Sequence, residues 1–280
     1  MAATNRYFDL IDQTFYFPQE GFDLEDGYLM FNGVPLHYLI QKYGTPLKLT
    51  YIPKIGSQIK KARNMFTRAM KAMGYRGKYH YCYCTKSSHF SHVLNEVLRH
   101  GVEIETSSAF DIELVRQLHK RGRLDKKTII VCNGFKTQGY LDRIAALIND
   151  GFENVIPVCD NMAELDFYEQ QVKGKCKIGL RVATEEEPNF EFYTSRLGIR
   201  HADVLRFFEE RIRDNDKFEL KMLHFFVDTG IKDSLYYWGE LKKAIRLYGE
   251  LKRNSEDLRA INIGGGMPIR NSLGFEFDYK

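Results

Sequence analysis

Cysteine is scarce in this sequence, its charge is nearly balanced, and no long apolar run interrupts it. The five cysteines (Cys82, Cys84, Cys132, Cys159 and Cys176) are odd in number, scattered and mostly set in apolar runs. That excludes a disulfide framework and reads as reduced thiols in a cytosolic protein. Cys82 and Cys84 make a CxC pair, but no second Cys/His cluster stands at zinc spacing, so the pair reads as two strand cysteines. No apolar run approaches the ~18 residues of a membrane helix. The start, MAATNRYFDLIDQ, lacks the basic-then-apolar order of a secretory signal. Lys+Arg 41 against Asp+Glu 37 is spread without basic blocks, which predicts no nucleic-acid partner. With 44% apolar and 28% charged residues the chain is neither disordered nor of low complexity.

What is present is a regular beat. Strand patterns fall at Tyr79–Cys84, Val102–Thr106, Thr128–Cys132, Asn154–Val158, Lys177–Ala183, Leu220–Phe225 and Ala260–Ile263. Several are short apolar or β-branched runs, as strands covered on both faces should be. Helical patterns lie between them: Ser88–Arg99, Asp111–Lys120, Gly139–Asn149, Met162–Gln171, Ala202–Arg213 and Asp233–Arg253. Connections of this length exclude hairpins and predict a mainly parallel sheet. No GxGxxG follows the first strand, which disfavours a dinucleotide fold. The fold class expected is α/β, a (β/α)8 TIM-type barrel.

Seven strands and six intervening helices are one strand and one helix short of a closed barrel. The chain is therefore expected to be a fragment of a longer protein, its barrel incomplete. Residues 1–53 form a lead segment with a short helix at Pro35–Tyr43 and a strand at Leu47–Tyr51; residues 54–280 form the truncated barrel. Ile55, Ile59, Ala62, Phe66, Ala69 and Met73 recur at helical spacing and predict a helix facing a core. The stripe Leu235, Trp238, Leu241, Ile245 and Tyr248 reads as helix packing, and Lys60–Arg63 as a solvated face.

In such barrels chemistry sits at the C-terminal ends of the strands. Lys86 follows the first strand. A lysine there points toward the barrel mouth and, desolvated, forms a Schiff base with a carbonyl; a surface lysine opening a loop is the alternative. After the seventh strand come Gly264, Gly265 and Gly266, which admit close backbone approach and offer clustered N–H groups, or simply make a flexible turn. An imine-forming lysine opposite a phosphate cradle suggests pyridoxal phosphate. Glu105 ends an apolar strand and needs a partner or a wet mouth. Ser108 and Asp111 read first as a capping box. Arg181, inside a strand, calls for an anion from the cofactor, the substrate or the core. His224 and Phe226 share a strand face, where either could cover a planar ring, with a satisfied core histidine the simpler reading for His224.

The run of segments is specific in its order: EIETSSAFDIELV (Glu103–Val115), VCNGFK (Val131–Lys136), LRVAT (Leu180–Thr184), SRLGI (Ser195–Ile199), LHFFVDTG (Leu223–Gly230) and INIGGG (Ile261–Gly266). Together they resemble the fold-type III pyridoxal-phosphate decarboxylases, of the alanine racemase/decarboxylase barrel type, and within them the biosynthetic arginine decarboxylases. The resemblance implies that Lys86 carries the cofactor as an imine and that Gly264, Gly265 and Gly266 bind its phosphate. It places Thr229 where a phosphate-contacting serine is usual, and puts Glu105, Ser108, Asp111, Arg181 and His224 near the cofactor. It departs at Phe226, where the family pattern has a second histidine, and at Asp228, which replaces a glycine.

The resemblance further implies that the acid pairing with the pyridine nitrogen, and a C-terminal β domain with its cysteine, aspartate and tyrosine, are to be expected in parts beyond this chain. The implied function is decarboxylation of L-arginine to agmatine and CO2 for polyamine synthesis. Mg2+ is implied by the resemblance alone. The implied assembly is a homodimer or larger homo-oligomer whose active site a partner subunit completes; no nucleic acid or membrane partner is expected. Diaminopimelate, ornithine or carboxynorspermidine as substrate, or a non-catalytic barrel serving as a binding or regulatory partner, are the alternatives. The fragment alone is expected to be inactive, because an open barrel exposes a sheet edge.

Overall fold

The computed structural model describes residues 21–184, 197–227 and 234–266. They fall into two compact units, residues 21–50 and the described residues from 51 onward.

The first unit is an antiparallel meander of β1 (Phe22–Glu25), β2 (Tyr28–Phe31) and β3 (Val34–Pro35), followed by α1 (Leu36–Tyr43). Asp26-Gly27 and Asn32-Gly33 turn the two hairpins with φ of 49°, 78°, 50° and 77°. Such left-handed pairs match the twist of the flanking strands. The expected helix is there. The expected strand at Leu47–Tyr51 is not: those residues join no ladder, and Leu49 and Tyr51 stand exposed.

The second unit opens with α2 (Pro53–Ala72). There follow β4 (Cys82–Cys84), α3 (Ser91–Arg99), β5 (Glu103–Thr106), α4 (Ala109–Lys120), β6 (Ile130–Cys132), α5 (Gln138–Asn149), β7 (Val155–Cys159), α6 (Met162–Gln171) and β8 (Cys176–Ala183). After a short β9 (Ile199–Arg200) and a 3-10 turn come α7 (Val204–Arg211), β10 (Phe218–Phe225), α8 (Ser234–Asn254) and β11 (Ala260–Asn262). Every predicted strand of the beat is present. The pairing is parallel, in the order β4-β5-β6-β7-β8-β10-β11, with β9 beside β8. A doubly wound sheet reverses its strand order at a switch point. Here spatial order follows chain order throughout, and the row curls until Asn262 of β11 reaches Glu105 of β5 at 3.3 Å. The wall is that of a (β/α)8-type barrel.

Strand alternation stacks the interior in layers. The lowest is apolar: Val131, Ile156, Val158 and Met222, with Cys82, Ile129 and Ala260 against them. One pleat higher on the same strands stand Cys84, Glu105, Asn133, Asp160, Arg181, His224 and Asn262, and above these Lys86, Phe226 and Gly264. The opposite strand faces are covered by helices; Thr106 Oγ1 and Tyr140 Oη, for example, meet at 2.8 Å under α5.

Local rules set the helix ends. Ser108 caps α4 by accepting the N–H of Asp111 at 3.3 Å, while the Asp111 carboxylate accepts the N–H of Ser107 at 2.9 Å. Arg63 is not a solvated face residue. It donates to the carbonyls of His100 and Gly101 and so satisfies the C-terminal end of α3. Two stripes also differ from expectation. On α2 burial is confined to the first half: Ile59 is buried, whereas Phe66, stacked on Tyr79 at 4.0 Å, and Met73 are exposed. On α8 the buried stripe is Tyr237, Glu240, Ala244, Leu247 and Leu251, while Leu235, Trp238 and Ile245 are exposed. That helix is apolar on two stripes, and hydrophobicity favoured the wrong one because the packed stripe includes Glu240 and Ala244.

Gly198 leaves no room for a side chain: its φ is +105°, and an added Cβ would lie 2.8 Å from Ala183 N. Gly198→Ala is expected to cost about 1–3 kcal/mol, seen as a lower urea midpoint at unchanged slope. An unchanged midpoint would show that the backbone approach is unimportant.

Candidate active site

The mouth of the barrel is built on the polar layer. Glu105, half-buried at the end of β5, accepts hydrogen bonds at both oxygens: Asn133 Nδ2 donates to Oε1 at 3.1 Å and Asn262 Nδ2 to Oε2 at 3.3 Å. Cys84 Sγ lies 4.0 Å from Oε1. Burial, then the Glu105 charge, push the Cys84 thiol up to about 11, so it stays protonated and is no nucleophile at neutral pH.

Asn133 also donates toward His224 Nε2 at 3.2 Å. With Nε2 accepting, the ring proton sits on Nδ1. His224 is wholly buried, and its pKa is lowered to about 3 by burial and then by the Arg181, Lys136 and Lys86 charges. It is a neutral imidazole. Its Nδ1 finds no hydrogen-bond partner among the described residues, a donor that a bound molecule could use.

Arg181 is buried beside Asp160, Nε to Oδ1 4.0 Å. Lys136, which sequence reasoning passed over, is equally buried: Nζ lies 2.9 Å from Glu164 Oε2 and 3.7 Å from Asp160 Oδ2. Burial opposes its charge, but Glu164 and Asp160 outweigh burial and raise its pKa. Lys136 is thus held as a paired ammonium, a poor candidate for attacking a carbonyl.

Lys86 differs. It is exposed at the mouth, with Nζ 5.3 Å from the centroid of the Phe226 ring. The Arg181 guanidinium lies 5.8 Å from the same centroid. Phe226 also borders the glycine turn. An added Cβ on Gly264 would meet Phe225 O at 2.9 Å and Phe226 Cδ2 at 3.0 Å, and one on Gly266 would meet Phe226 Cε2 at 3.4 Å. Lysine and glycine turn therefore both lie against one aromatic ring.

The structure thus gathers Lys86, Glu105, Arg181, His224, Phe226, Gly264, Gly265 and Gly266 at one end of the barrel. Two of these residues have local partners. The N–H of Gly264 is donated to Asn262 Oδ1 at 2.9 Å, and its positive φ and tight packing suit glycine, while Gly265 and Gly266 are exposed. Ser108 accepts the N–H of Asp111 as the cap of α4, the reading placed first for it. Thr229, Asp228 and the first residues of SRLGI lie outside the described residues. Asn133, Asp160, Asn262 and Lys136 were not singled out from sequence, although the first three follow the same two-residue alternation that picked out His224 and Phe226. Among the described residues no group of three or more His, Cys, Asp or Glu is placed to hold a metal ion.

The profile of the pyridoxal-dependent decarboxylase, pyridoxal binding domain, family matches residues 57–276. A biosynthetic arginine decarboxylase 2 of Synechocystis is 25% identical over 248 residues, covering 82% of this chain and 37% of the relative. The biosynthetic arginine decarboxylase of Tolumonas auensis is 26% identical over 243 residues, with coverage of 82% and 37%. The chain therefore spans little more than a third of the length of these relatives. Among solved structures, the biosynthetic arginine decarboxylase of Campylobacter jejuni superposes with a TM-score of 0.68 at 21% identity, over 89% of this chain and 43% of that one. A diaminopimelate decarboxylase from M. jannaschii gives 0.75 at 17% identity, over 90% and 58%. The two superpositions show a shared fold.

The buried imidazole makes a pH prediction. The folded chain keeps His224 neutral down to about 3, whereas the unfolded chain takes the proton near 6.5. The stability contributed by the neutral ring is complete above 6.5 and is lost as pH falls from there toward 3. His224→Gln should reduce the proton uptake on acid unfolding by about one, measured from the pH dependence of the urea midpoint. Superimposable acid limbs would contradict the assignment.

Proposed function

The chain belongs to the pyridoxal-dependent decarboxylase family, and on that premise we propose that it binds pyridoxal phosphate at this mouth and supplies the cofactor-binding half of an L-arginine decarboxylase. The observation that carries the reading is that Lys86 Nζ and the glycine turn both lie against one ring, Phe226. The residues fit the cofactor. An accessible lysine suits its aldehyde, two exposed glycines suit its phosphate, Phe226 offers an apolar ring face, and His224 retains a buried nitrogen with no partner among the described residues.

Bound there, pyridoxal phosphate supplies the electron sink that loss of CO2 requires. The chain's own residues do the rest. Lys86 Nζ would hold the aldehyde end of the cofactor, and the N–H groups of Gly265 and Gly266 its phosphate. Glu105, fixed by two carboxamides, presents an oriented carboxylate. Neutral His224 cannot serve as an acid near pH 7. Phe226 has no proton to give, and Lys86 Nζ, beside the same ring, would hold a proton on that side of the mouth.

Arginine is favoured as substrate by the named relatives and by the CNGFK, SRLGI and LHF segments. The product would then be agmatine, a polyamine precursor, and five free thiols suit a cytosolic setting. A further copy of the chain is the proposed partner. Phe226 in place of the family's histidine favours a second reading, a barrel that binds the cofactor without decarboxylating.

Reduction with borohydride in the presence of pyridoxal phosphate should fix a pyridoxyl group on Lys86, found by peptide mass spectrometry. Lys86→Ala should abolish it with Lys136 remaining unlabelled; label on Lys136 would refute the assignment. Release of CO2 by the whole protein over a panel of arginine, ornithine, lysine and diaminopimelate should be fastest with arginine. Labelling without CO2 release from any of them would favour the second reading.

A further inference from the structure

Two asparagines, one just past the end of β6 and one ending β11, treat Glu105 alike. Asn133 donates from Nδ2 to Glu105 Oε1 at 3.1 Å and accepts the N–H of Gly134 at Oδ1, 2.9 Å. Asn262 donates from Nδ2 to Glu105 Oε2 at 3.3 Å and accepts the N–H of Gly264 at Oδ1, 2.9 Å. Each carboxamide ties the glycine turn after its own strand to one oxygen of a single carboxylate. The task needs one donor and one acceptor on one short rigid plane. Aspartate lacks the donor, and leucine lacks both.

Asn262 is the more consequential of the pair. Its partner Gly264 is pinned against Phe225 O and the Phe226 ring, with no space for a Cβ, and leads directly into Gly265 and Gly266. Resting on the reading that this mouth binds pyridoxal phosphate, we propose that Asn262 is a positioning residue. Through one side chain it fixes the phosphate-binding turn in register with the Glu105 carboxylate, so that the two ends of the cofactor site keep a set separation. The consequence is specific: the register depends on a neutral amide facing Glu105. Asn262→Asp keeps the acceptor for Gly264 but sets a second carboxylate against Glu105. Two carboxylates so close ionise together only at a cost, and they share a proton when the pH is lowered.

The test titrates wild type, N262D and N262A with pyridoxal phosphate and with pyridoxal, which lacks the phosphate, from pH 5.5 to 8.5, reading imine absorbance and borohydride-trapped Lys86. At pH 8 N262D should bind pyridoxal phosphate about tenfold or more weakly than wild type, with a smaller loss for pyridoxal. Relative to wild type the loss should shrink toward pH 5.5 for N262D and stay constant for N262A. The thermal midpoint of cofactor-free N262D should fall below wild type by more at pH 8 than at pH 5.5. Adding Glu105→Gln, which removes the like-charge pair, should abolish that pH dependence and rescue the variant if N262D alone folds poorly. N262D binding like wild type, or weakened equally at every pH and for both ligands, overturns the proposal while leaving the cofactor reading intact. Failure of wild type to capture pyridoxal phosphate overturns both.

Discussion

The hydrogen bond from Asn262 to Glu105 spans the barrel interior, and the organisation of the mouth depends on what that contact solves. A carboxylate raised on an apolar strand is costly unless its lone pairs are met. The curl of the sheet brings β6 and β11 to either side of β5, and each supplies one carboxamide. Below this layer the interior is aliphatic and closed; above it are an accessible lysine, an aromatic ring and a glycine turn. Strand alternation sets the three levels, two residues apart, on β4, β10 and β11.

Charge is partitioned within the same layer. Lys136 and Arg181 stand against Asp160 and Glu164 on the β6 to β8 side, buried and paired. Breaking such a pair from one partner is expensive, which marks this group as support for the mouth. Lys86 sits on the β4 side, exposed beside an uncharged ring. One lysine is locked as a cation and the other is free to react, a distinction that rests on neighbours rather than residue type. The same logic keeps His224 neutral, since burial and three nearby cations all oppose its protonation.

Much of this was legible in the sequence. The beat of short apolar runs and amphipathic segments located all seven strands, because strands buried on both faces cannot hide their composition. The strand ends then selected Lys86, Glu105 and the glycines, and polar residues inside apolar strands selected Arg181 and His224. What escaped has physical reasons. Asn133 directly follows a predicted strand and Asn262 lies within one, and only the curl of the sheet shows that they face one carboxylate. Nothing in the sequence marks Lys136 and Asp160 as a buried pair; the fold brings them together. The more apolar stripe of α8 is the exposed one, because neighbours decide which stripe packs. The meander of β1 to β3 was readable in its Asp-Gly and Asn-Gly turns, a signal that the search for parallel strands passed over.

The account turns on where the aldehyde and phosphate of pyridoxal phosphate come to rest. A crystal structure of the protein soaked with that cofactor measures this directly. Continuous density from Lys86 Nζ to the aldehyde carbon, with the ring beside Phe226 and the phosphate against the N–H groups of Gly265 and Gly266, is the result predicted. Density joined to another lysine, or a phosphate seated away from the glycine turn, would contradict it.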